Sequence, residues 1–108
     1  MKIIEGINGL LTIYKDRPEL WYFLFTNIKI GNKKKDIREG TFYLPETDDD
    51  DDEMGELCDK YPDKYRDWLE YQTFLDIIDN KLDHHPNATK EDLLDAIIYY
   101  LENDDFLD

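Results

Sequence analysis

A chain of 108 residues with a formal net charge of −14 can bury one modest core. It is too acidic to grip phosphate, which excludes direct nucleic-acid binding and argues against anionic membrane surfaces. Its 41% hydrophobic and 14% aromatic content also excludes the acidic disordered class, which is poor in aromatics, so one folded domain over residues 1–108 is expected.

The opening residues 3–14 place Ile3, Ile4, Ile7, Leu10, Leu11 and Tyr14 on one helical face. Gly6 and Gly9 weaken that helix by about 1 kcal/mol each relative to Ala, and Asp16-Arg17-Pro18 closes it. The apolar run LWYFLFTNIKI, residues 20–30, reads as a buried strand. Residues 31–40 read as a polar loop carrying Lys33, Lys34, Lys35 and Arg38, solvated or paired internally with the aspartates. TFYLP, residues 41–45, predicts a second strand stopped by Pro45.

Five aspartates and a glutamate follow: Asp48, Asp49, Asp50, Asp51, Asp52 and Glu53. They read either as a mobile, solvated loop or as an electrostatic contact for Lys/Arg on a partner. Residues 53–61 suggest a short helix before Pro62, and residues 65–71 a third strand with Trp68 and Leu69 facing opposite ways. In residues 72–83, Phe74, Ile77, Ile78, Lys81 and Leu82 keep helical spacing, and Pro86 prevents extension. Thr89 is a good N-cap with Asp92 at N3 and Glu91 beside it, opening a last helix with the stripe Leu93, Leu94, Ile97, Ile98 and Leu101. A small α+β domain is expected, with a three-stranded antiparallel sheet and about four helices covering one face.

The charge is uneven. Residues 1–38 hold eight Lys/Arg against four Asp/Glu, a balance of +4, whereas residues 39–108 hold five against twenty-three, a balance of −18. A second acidic cluster, Glu102, Asp104, Asp105 and Asp108, interleaves with Phe106 and Leu107 at the C-terminus. Acid at a helix C-terminus opposes the macrodipole, the kind of local conflict expected where function overrides stability. Such a field raises the rate of encounter with a basic protein, well beyond the roughly 2–8 charges that keep a small domain soluble.

Chemistry finds little footing. The chain has no serine and a single cysteine, so serine triads and intrachain disulfides are excluded, and Cys58 reads as a small buried hydrophobe. His84 and His85 are adjacent and do not share a helical face; they read as solvated residues at a helix C-terminus. Counting from Asp48, Glu53 and Asp59 stand where a calcium-binding EF-hand loop needs Gly and Glu. Asn87-Ala88-Thr89 fits a glycosylation acceptor, which the capping role of Thr89 explains better. The opening residues lack a signal-peptide core, and no apolar stretch is long enough for a bilayer. No catalytic, cofactor or metal site is expected, and a cytoplasmic location is.

Certain residues carry a family resemblance. They are Gln72, Asp76, Ile77, Ile78 and Asn80, then Thr89, Glu91, Asp92, Leu93, Ala96, Tyr99, Tyr100, Asp104 and Phe106. With the strand that leads into the aspartate run, they resemble a family of small acidic bacterial proteins over residues 40–108. Proteins of this sort look like immunity proteins of toxin systems, including those of contact-dependent growth inhibition (CdiI-like). The resemblance implies a cytoplasmic, non-enzymatic protein that binds and blocks one basic toxin domain, often a nuclease. The charge pattern, and not the resemblance, makes Asp48 to Glu53 the residues expected to steer that partner, with Glu102, Asp104 and Asp105 as a second patch and Tyr99, Tyr100 or Phe106 as anchors. A regulatory adaptor or nucleic-acid mimic that sequesters a nucleic-acid-binding protein has the same electrostatics.

Overall fold

The apolar residues that open the chain divide between a strand and a helix. In the computed structural model, which describes residues 1–27 and 29–107, β1 (Lys2–Glu5) leads directly into α1 (Gly6–Asp16). Gly6 makes the turn: its φ is +63°, and a Cβ there would lie 2.2 Å from the Arg38 carbonyl oxygen. Only glycine meets both conditions. Ile3 and Ile4 therefore point to opposite faces of a sheet instead of sharing a helical stripe, and Arg17, in the left-handed region, ends α1.

β2 (Phe23–Asn27), α2 (Lys34–Glu39), β3 (Thr41–Leu44), α3 (Asp48–Lys60), β4 (Tyr65–Glu70), α4 (Tyr71–His84) and α5 (Lys90–Asn103) follow. Among the described residues the sheet has four strands in the order β1-β3-β2-β4, every pair antiparallel. The expected α+β architecture holds with one strand more than the sequence suggested. The strand read over residues 20–30 is shorter, and its Ile28 lies outside the described residues. The loop read over residues 31–40 contains a helical turn and a half, α2, whose Ile37 is fully buried.

One sheet face carries the main core. Ile4, Leu24, Phe42 and Leu44 pack there against Ile7 and Leu10 of α1, Ile37 of α2, Phe74 and Ile78 of α4, and Leu94 and Ile97 of α5. Each such side chain contributes roughly 1.5–3 kcal/mol on burial. The other face is covered as well, contrary to the expected one-sided arrangement. There α3 lays Met54, Leu57 and Glu53 over Ile3, Tyr43 and Tyr65, and Met54 and Phe25 are buried.

Trp68 and Leu69 are both buried, each only 7% exposed, and both join the core cluster. The register shifts between Leu24↔Leu69 and Phe25↔Asp67, leaving Trp68 as the extra residue of a β-bulge. Its ring packs on Phe42 at 4.5 Å between centroids. The last two helices form as read. Thr89 and Asp92 make a reciprocal capping box, and α4 stops at His84, short of Pro86.

Candidate functional site

The antiparallel course of the chain brings both acidic clusters to one end of the molecule. Phe23 pairs with Glu70 at the end of β4, and α4 starts at the next residue. Because a short connection joins α4 to α5, α5 returns beside α4 and its C-terminus reaches the start of α4. The electrostatics agree: the Tyr100 phenol on α5 is pushed up, first by burial and then by Asp104, Glu70 and Asp76. On the other side of Phe23, Tyr22 donates its hydroxyl proton to Asp48 Oδ1 at 2.5 Å, which places the start of α3 at the same end.

Asp48 to Glu53 are not a loop; they are the first turns of α3. Thr47 caps the helix, its Oγ1 accepting from the Asp50 amide at 3.1 Å, and Asp50 Oδ2 accepts from the Glu46 amide at 3.1 Å. Carboxylates here meet the positive end of the helix dipole, so the like-charge run is locally stabilised where a loop reading leaves it merely tolerated. The Met1 ammonium lies 2.6 Å from Asp50 and 3.0 Å from Glu46, and it holds the Asp50 carboxyl below the usual range. The side chains of Asp49, Asp52 and Glu53 are exposed and make no hydrogen bond or ion pair among the described residues. Asp51 is half-buried.

Between the clusters stands a residue that the sequence reading had placed in a buried strand. Trp21 is 76% exposed. It is held there by bonds to the residues around it: Tyr71 Oη donates to the Pro18 carbonyl at 2.9 Å, Gln72 Nε2 to the Leu20 carbonyl at 2.7 Å, and the Tyr71 amide to the Tyr22 carbonyl at 3.0 Å. Phe23 beside it is 38% exposed. An exposed aromatic on a well-tied backbone with a polar rim is what binding hot spots are made of. An apolar run longer than the strand that accommodates it was the only sequence signal.

At the end of α5 the conflict with the dipole is real, for no basic residue lies in the last turn. Asp104 closes the helix in the left-handed region, its amide donating to the Tyr100 carbonyl at 2.8 Å. Glu102, Asp104 and Asp105 are exposed, and Asp108 lies outside the described residues. Of the expected anchors, Tyr100 is half-buried against the core and stacks on Phe106 at 5.4 Å. Tyr99 and Phe106 are 36% and 38% exposed.

The Tyr22–Asp48 bond gives a direct check on this geometry. It pushes the Tyr22 phenol up to about 12. A folded-state value above the unfolded one, near 10, stabilises fully below that unfolded value, and the contribution is lost as pH rises through about 12. In an alkaline absorbance titration, with Tyr22→Phe identifying the Tyr22 signal, Asp48→Asn should return that phenol toward about 10. A Tyr22 titration indifferent to Asp48→Asn would remove the bond.

The remaining candidates lie elsewhere. Lys34 pairs with Asp95 at 2.7 Å and Glu91 at 3.4 Å, and Arg38 pairs with Glu91, so these two members of the basic cluster meet α5 and not the aspartate run. Lys60 and Lys90, at the far ends of α3 and α5, leave the opposite end of the molecule less acidic. Burial, then Asp67 and Asp59, pushes the half-buried Cys58 thiol up, away from nucleophilic thiolate. His84 and His85 are exposed and line a cavity of about 460 Å³ with Lys81 and Asp92. Among the described residues no group of three or more His, Cys, Asp or Glu is placed to hold a metal ion, and no helix is long and apolar enough to cross a membrane.

No curated protein and no solved structure matches the chain. The family described as a domain of unknown function (DUF7716) matches residues 10–108, nearly the whole length, and the chain belongs to that family.

Proposed function

We propose that the chain is an immunity protein that binds one cationic toxin domain, a nuclease, in a stoichiometric complex and blocks it with the acidic end. The observation that carries this reading is the convergence of two carboxylate clusters, from α3 and α5, around the exposed Trp21. A nuclease holds phosphate with Lys and Arg, and a carboxylate-rich surface competes for those same groups. Exposed ion pairs alone contribute only about 0–1 kcal/mol each. Trp21, carried on a hydrogen-bonded stretch of backbone, supplies the apolar burial that charge lacks. Inhibition by binding requires no chemistry from the chain itself.

Co-expression with the product of the neighbouring upstream gene tests the proposal, which requires that product to be a toxin. A 1:1 complex on gel filtration and restored growth are the expected results. Growth arrest together with no complex at low salt would overturn it.

A further inference from the structure

We propose that the corner where α4 turns into α5 binds a small monocarboxylic acid, its carboxylate on Lys81 and its apolar body against Pro86 and Ala88. The sequence sets a lysine in the apolar stripe of α4, after Phe74, Ile77 and Ile78, and the fold buries it: Lys81 is only 9% exposed. Its ammonium makes no hydrogen bond or ion pair among the described residues. Burying a charge without a partner is costly. Here the side chain opens on the cavity of about 460 Å³ that it lines with His84, His85, Pro86, Ala88 and Asp92. Its charge and its three N–H donors are therefore available to an anion that enters there.

Asp92, the acidic residue of the wall, does not take that place. It is committed to the start of α5, where its Oδ2 accepts from the Thr89 amide at 2.9 Å. Thr89 holds its carboxyl below the usual range, with smaller help from Lys81 and His85, so both lie near it without bonding it. The imidazoles differ in what they offer. His84 Nδ1 lies 2.8 Å from the Asn80 carbonyl; a carbonyl only accepts, so Nδ1 carries the proton and Nε2 of the neutral ring is an acceptor. The His85 ring makes no hydrogen bond among the described residues, and in either tautomer it keeps an N–H as a second donor beside Lys81. Asp92 also bears on which anion fits. The pull of one lysine, reduced by Asp92, grows in proportion to the ligand's charge, whereas the cost of stripping water from an ion grows with the square of it. A single negative charge is the better match, and Pro86 and Ala88 offer carbon to the rest of the ligand. The site lies at the opposite end of α5 from the Trp21 surface, about 20 Å along the helix, and is independent of the proposed function.

The probe is butyrate, titrated into the full chain and followed by NMR at the His84 and His85 rings and the Ala88 and Asp92 amides. Saturable shifts with a millimolar Kd are expected. Butyramide, of the same shape without the charge, should bind about tenfold more weakly. Lys81→Met keeps the buried stem and removes the charge, and should also weaken butyrate about tenfold. Its melting temperature should equal or exceed that of the wild type, because an unpaired charge leaves the interior. Asp92→Asn retains an oxygen to accept from the Thr89 amide and should tighten binding about threefold by lifting the repulsion. Three results would each overturn the proposal: no saturable shift at these residues up to about 100 mM butyrate, butyramide or inorganic phosphate binding as tightly as butyrate, or undiminished binding to Lys81→Met with weakened binding to Asp92→Asn.

Discussion

Truncating Trp21 to Ala is expected to weaken the proposed toxin complex by about 2–3 kcal/mol, roughly 30- to 150-fold in Kd. The loss should fall on dissociation, since variants of one interface differ mainly in off-rate. The free chain should unfold at an unchanged temperature, because a side chain 76% exposed contributes little to the core. The size of the effect follows from how the residue is presented. Segment 18–22 is tied to Tyr71 and Gln72 through three carbonyls, so binding orders little new backbone there and the apolar burial of the indole is offset chiefly by the ordering of its own side chain. Trp21→Phe should fall between wild type and Ala. Kinetics by surface plasmon resonance, with a thermal melt of each variant, check this; an unchanged off-rate takes Trp21 out of the interface.

Neutralising Asp49, Asp52 and Glu53 together, as Asn, Asn and Gln, should slow association about tenfold at low ionic strength and flatten its dependence on salt. Dissociation should change little. These three carboxylates are exposed and bond nothing among the described residues, whereas Asp48 and Asp50 hold Tyr22 and the Met1 ammonium and are best left intact. Loss of acid from the start of α3 weakens its dipole interaction, about 0.3–1 kcal/mol for each residue in the first turn, and relief of like-charge repulsion offsets part of that. Stopped-flow measurement at two ionic strengths separates the contributions. A wild-type association rate at low salt would remove α3 from steering.

Some of this was legible in the residues and some was not. Thr89 with Asp92 reads as a helix start, and the capping box forms. Thr47 with Asp50 is the same spacing and also caps a helix, yet the aspartates after it read as solvated loop because their charge masks a helix start. Ile3 and Ile4 fit a strand and a helical stripe equally well, and only pairing with Tyr43 and Phe42 decides between them. The carboxylates of both clusters were identifiable by type. Trp21 was not, since an apolar run says what is sticky and not which part of it the fold leaves outside.

The residues alone determined the magnitude and sign of the charge, its concentration after residue 38, the apolar stripes of α4 and α5, and the points where those helices stop. Each of these depends on side chains within a turn or two of one another. The tertiary structure decided that two acidic clusters some fifty residues apart share one end, with an indole between them. That juxtaposition depends on strand pairing and on α5 folding back along α4, contacts between residues far apart in the chain that no local pattern encodes.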